Sequence, residues 1–138
     1  MKISLVGIAE PHVAVFKDMA KNLSKRISGL ELEERFAPTL EDLPFLCAEC
    51  AAESDFVFAF ALVEDEAEVK YMKDKLVDVE IKTETRILKA IEEDDLSSLD
   101  EDEYYEAKEA LVKKYCDLIV DVLFNERSFE PEDKDFSE

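Results

Sequence analysis

Phe36-Ala37-Pro38-Thr39-Leu40-Glu41-Asp42-Leu43-Pro44, followed at Asp55 by Asp55-Phe56-Val57-Phe58-Ala59-Phe60-Ala61-Leu62-Val63, decides the fold. The first segment reads as a loop that turns into a helix, because Pro44 suits a first helical turn, where its missing N–H costs nothing. The second is an unbroken apolar run from Phe56. A run this short, rich in Phe and Val and without polar alternation, fits a central strand covered on both faces. Loop, helix and buried strand together form the middle of an α/β unit.

Toward the N-terminus, Ile3 to Ile8 reads as a first strand. Pro11 opens a first helix whose apolar positions Val13, Phe16, Ala20, Leu23 and Ile27 fall at helical spacing, with Gly29 as its C-terminal cap. Leu30 to Phe36 reads as a second strand. Leu30, Leu32, Glu34 and Phe36 share one of its faces, and the charges between them suit a sheet edge. The second helix runs from about Pro44 to Glu53, with Leu43, Cys47, Cys50 and Ala51 inward, and the third strand from Phe56 to Leu62. Short connections between alternating strands and helices imply parallel pairing and right-handed crossovers. In such sheets ligands sit at the carboxyl ends of the strands. Three segments converge there: Ala9 to His12, Ala37 to Leu40 and Ala61 to Glu64.

Asp65 to Asp95 admits two readings. Val69, Met72, Leu76, Val79, Thr83 and Ala90 suit one long helix, whereas a split gives a helix to about Lys82 and a fourth strand from Arg86 to Ile91. The split is preferred, because a fourth strand covers the open side of the third. Ser98-Leu99-Asp100-Glu101 is read as a capping box for a last helix from about Asp102 to Asn125. Its stripe would be Ala107, Ala110, Leu111, Tyr115, Leu118, Ile119, Val122 and Leu123. Residues 1–126 thus form one α/β domain, and 127–138 an acidic tail with little to bury.

Of the 138 residues, 47% are hydrophobic, enough for a core, and no run approaches the ~20 apolar residues of a membrane span. The start lacks a signal-peptide layout, so a cytoplasmic protein is the default reading. The formal net charge is −19. Residues 1–40 are nearly balanced, with six Lys/Arg against five Asp/Glu, whereas the remainder carries eleven against thirty-one. That surface excludes nucleic acid and membrane partners that need clustered basic residues. With only Gly7 and Gly29, neither a P-loop nor a dinucleotide fingerprint exists. Cys47-Ala48-Glu49-Cys50 has the C-x-x-C form, but it falls inside a helix, and a zinc site would need two more ligands, for which only Cys116 and His12 are available, so the cysteines read as core residues. Glu64, Asp65 and Glu66 read as an acidic helix start more readily than as a cation site. No metal and no cofactor is assigned.

The start Met1-Lys2-Ile3, the loop Pro38-x-x-x-Asp42-Leu43-Pro44 with Cys47 after it, and Asp55-Phe56-Val57-x-Ala59 resemble the lumazine synthase superfamily, most closely its archaeal riboflavin synthase branch. Glu92-Glu93-Asp94-Asp95 and a last helix ending Leu123-Phe124 add to the likeness. The resemblance implies a three-layer αβα sandwich with a four-stranded parallel sheet in the order 2-1-3-4. It also implies homo-oligomers, pentamers or their multiples, with sites between subunits. The implied activity is a transferase reaction of riboflavin biosynthesis, the dismutation of a ribityllumazine, and the implied partner is a small pteridine or lumazine-type ligand. Ligand-binding positions would be Glu10, Pro11, Pro38, Thr39, Leu40, Asp42, Ala61, Leu62 and Val63. Catalytic candidates are His12, whose intrinsic pKa suits a proton carrier, and Glu80, which aligns loosely with the family's His-Glu pair while Val79 stands where the histidine would be. The turn after the third strand has no glycine, and Glu10-Pro11-His12 replaces the family's ring aromatic. These departures leave a non-catalytic relative, kept as an assembly or ligand-binding protein, as the alternative.

Overall fold

The structure, a computed structural model, describes residues 1–8, 13–94, 96 and 99–124, with the side chains of 13 and 14 left aside. Its elements are β1 (Lys2–Ile8), α1 (Val13–Arg26), β2 (Glu31–Ala37), a 3₁₀ turn (Leu40–Asp42), α2 (Leu43–Ala51), β3 (Phe56–Val63), α3 (Glu66–Thr83), β4 (Arg86–Glu93) and α4 (Glu101–Phe124). All strand pairs are parallel, and the sheet order is β2-β1-β3-β4. This is the expected α/β architecture, with β2 at an edge and β3 inside.

The apolar run of β3 alternates in size, not polarity. Phe56, Phe58 and Phe60 enter the core under α1 and α4, while Val57, Ala59, Ala61 and Val63 face α2 and α3. Successive strand residues point to opposite faces, so bulky side chains fill one layer and small ones let α2 approach the other. On the bulky side the Phe58 ring meets Tyr115 with centroids 5.3 Å apart, and Phe16 stacks on Phe36 at 5.5 Å. Gly7 fits beneath that cluster, since a Cβ there would stand 2.9 Å from the Phe16 ring.

The region from Asp65 onward divides as preferred. Asp65 caps α3 by accepting a hydrogen bond from the Glu68 N–H at 2.9 Å. Glu84 ends the helix in the left-handed region at φ 56°, a conformation that costs a non-glycine residue about 1 kcal/mol. Thr85 then donates to the Ala51 carbonyl at 3.2 Å, and β4 begins.

Several boundaries differ from expectation. The first helix begins at Val13 among the described residues and ends at Arg26, and Gly29, at φ 71°, turns the chain toward β2 three residues later. Asp100 and Glu103 form a capping box at the start of α4, and Ser98 of the expected box lies outside the described residues. The Asp100 N–H donates to the Glu103 carboxylate at 3.2 Å, and the Glu103 N–H donates to Asp100 Oδ1 at 2.8 Å. The buried face of α4 is Val112, Tyr115, Cys116, Ile119 and Val122. Ala110 and Leu118 of the expected stripe are exposed, because the helix turns its Cys116 side toward α1. Glu10, Pro11, His12, Asn125 and the 127–138 tail lie outside the described residues. Among those described, no helix is long and apolar enough to cross a membrane.

Candidate functional site

Strand order dictates where a crevice opens. From β1 the chain leaves toward the α1/α4 layer, and from β3 toward the α2/α3 layer. β1 and β3 are neighbours, so the connections above their carboxyl ends diverge. This is the topological switch point at which ligands of open parallel sheets bind. The described residues of this carboxyl rim include Ile8, Ala37 to Asp42, Leu62 to Glu66, and Glu93 with Asp94.

The Pro38–Asp42 segment is a closed turn. Thr39 Oγ1 donates to Asp42 Oδ2 at 2.9 Å, and the Asp42 N–H donates to the Thr39 carbonyl at 3.2 Å. Pro38, Thr39 and Asp42 are exposed and Leu40 is half-buried, so the turn offers a rigid polar lip beside an apolar side chain. Asp42 precedes Leu43 at the start of α2 but makes no side-chain cap bond, since its carboxylate is engaged by Thr39. Of the three β3 positions, Ala61 and Val63 are buried toward α2 and α3, and only Leu62 is half-buried on the opposite face. Ala61 therefore shapes the site through backbone and packing.

Electrostatics at this rim are one-sided. Glu64, Asp65, Glu66, Glu93 and Asp94 are all exposed. Asp65 is spent on the α3 cap, and the Glu68 carboxylate accepts from the Glu64 N–H at 2.9 Å. No group of metal-ligating residues occurs among the described residues. A phosphate would meet repulsion at such a rim.

Glu80 stands at the other end of the sheet. Its carboxylate accepts from the Ile87 N–H at 2.8 Å and from Lys89 Nζ at 2.6 Å, and Lys89 also donates to the Ile87 carbonyl at 2.9 Å. Ile87 is the second residue of β4, so six residues, about 20 Å of strand, separate it from the carboxyl rim. Within one chain Glu80 is thus a clamp that fastens the end of α3 to the start of β4. The Lys89 partnership bridges a helix terminus and a strand, where no periodic signal in sequence points to it. Glu80→Ala should lower the unfolding free energy by about 2 kcal/mol, since it strands a half-buried ammonium and a backbone N–H. Adding Lys89→Met should recover part of that loss in urea titrations. An unchanged midpoint for the single variant would show that the clamp bears no weight.

The thiols point into packing. Cys47, Cys50 and Cys116 are fully buried. Burial, with Cys50 adjacent, pushes Cys47 up to about 12, and burial pushes Cys116 up to about 11. Cys50 is likewise raised, burial being the main cause. Thiols held protonated are poor nucleophiles and poor metal ligands. Compared with known proteins, the sequence matches no family model and no curated protein.

Proposed function

We propose that the protein binds a ribityllumazine-type ring at the carboxyl rim, as a riboflavin-synthase-like protein whose site is completed by a second copy of the chain. The observation that carries this reading is the switch point between β1 and β3, with the closed Pro38–Asp42 turn alongside. Two further features support it. The acidic rim disfavours phosphate-bearing ligands, and a neutral ribityl chain offers hydroxyls to exposed carboxylates and to Thr39. The sequence likeness around Pro38-x-x-x-Asp42-Leu43-Pro44 names the class of ring.

A second reading, binding without turnover, is favoured by Glu80, whose carboxylate is occupied at the opposite end of the sheet from the rim. One experiment separates the two. Purified protein is titrated with 6,7-dimethyl-8-ribityllumazine while ligand fluorescence is followed, and the mixture is then analysed for riboflavin. Saturable change with riboflavin formed supports the enzyme, and saturable change without product supports the binder. No saturable change overturns both. Light scattering on the same sample should give a mass several times 15.8 kDa, and a monomer would remove the shared-site element.

A further inference from the structure

α4 carries an exposed aromatic side chain to the level of the carboxyl rim. Tyr115 touches Phe58 and Phe60 of β3, which fixes the level of the helix on the sheet. Ten residues back along α4, about 15 Å, lies Tyr105. Along β3, Phe58 and Phe60 lie about 17 and 10 Å from Val63. Tyr105 therefore stands level with the carboxyl rim. Its direction follows from the helix period. Eleven residues, about three full turns, separate it from Cys116, whose thiol donates to the Met19 carbonyl of α1 at 3.8 Å. Tyr105 thus leaves α4 on the side that faces α1. On that side Val112, Cys116 and Ile119 are buried and Glu109 is exposed, and Tyr105, the aromatic among them, is 53% exposed.

The ring is also held. Lys108 Nζ lies 5.1 Å from its centroid and is itself pinned by Asp18 Oδ2 at 3.0 Å. The Tyr104 ring meets it edge-on, with centroids 6.0 Å apart. A half-exposed aromatic fixed from two directions is preorganised to receive another ring, since little rotamer freedom remains to be lost.

We propose that Tyr105 is the stacking surface for the planar ring of the rim ligand. This rests on the function proposed above and adds a binding residue from α4 to it. The test titrates 6,7-dimethyl-8-ribityllumazine into wild type, Tyr105→Ala, Tyr105→Phe and Tyr71→Ala, the last removing an exposed tyrosine from the α2/α3 layer. Loss of one stacking partner should weaken binding by about tenfold. Tyr105→Ala should show that loss with an unchanged unfolding midpoint, while Tyr105→Phe and Tyr71→Ala keep wild-type affinity. If wild type binds and Tyr105→Ala binds equally well, the stacking role is overturned and the rim reading stands. If wild type itself does not bind, both fall.

Discussion

Phe58→Ala should bring the protein close to unfolding in water. Phe58 is fully buried on the central strand β3, with ring neighbours on three elements: Phe16 of α1 at 6.2 Å, Phe60 at 6.3 Å and Tyr115 of α4 at 5.3 Å. Truncating a core Phe costs about 3–5 kcal/mol through lost transfer energy and the cavity left behind. Native domains hold only about 5–15 kcal/mol in total. With about 1–3 kcal/mol per molar urea for a domain of this size, the midpoint should fall by about 2 M. Phe45→Ala, on an exposed ring of α2, serves as the comparison and should change the unfolding free energy by no more than about 0.5 kcal/mol. The sheet cannot splay to fill the void, because β3 is bonded on both sides. A loss under about 1 kcal/mol would mean that Phe16, Phe58, Phe60 and Tyr115 do not form the weight-bearing contact between sheet and helices.

That cluster also shows what a sequence of this kind discloses. β3 was legible because a short all-apolar strand has no place except the interior of a parallel sheet. Its sidedness was hidden: Phe alternating with Ala and Val looks uniform in polarity, and only volume distinguishes the faces. The end of α3 was harder. Val77, Val79 and Ile81 alternate as a strand would, and the helix stops at Glu84 in a conformation that normally calls for glycine or asparagine. Tertiary bonds from Thr85 and Glu80 hold that stop in place, and neither bond leaves a local mark in the chain. On α4 the broad stripe could not reveal which edge was inward. That depended on α1, through Arg26 with Asp117 at 2.7 Å and Asp18 with Lys108 at 3.0 Å.

The candidate site follows the same division. Pro38 to Asp42 and the end of β3 belong to the rim because topology puts them there, and topology was readable from the order of elements. A loose alignment along the chain puts Glu80 at the site, but a helix that runs antiparallel to its strand carries its last turns to the opposite end. Tyr105 carries no local signal, for the converse reason. It lies forty-two residues beyond Val63 in sequence, and only the docking of α4 along β3 returns it to the same level.

Stability should fall steeply on the alkaline side. An unfolded thiol ionises near its ordinary value of 9.0, whereas folded Cys116 ionises near 11 and folded Cys47 near 12, with Cys50 also raised. The sign follows from proton counts. Below pH 9 both states are protonated and the thiols contribute their full share. Between 9 and about 11 the unfolded chain releases protons that the folded chain retains, so the unfolded state binds fewer and stability drops as pH rises. Each thiol then costs roughly 1 kcal/mol per pH unit. By pH 11 Cys47 and Cys116 together should remove on the order of 5 kcal/mol, comparable to much of a domain's stability. Urea midpoints measured at intervals from pH 8 to 11 should therefore decline along a curve that the triple Cys→Ala variant flattens. That variant begins lower, since each lost sulfur leaves a small void in the core, so the slope and not the starting value carries the information. Equal slopes would place the alkaline transition elsewhere. Thiolate absorbance offers an independent check: it should grow in near pH 9 for protein held in urea, and in the native protein only as the chain begins to unfold.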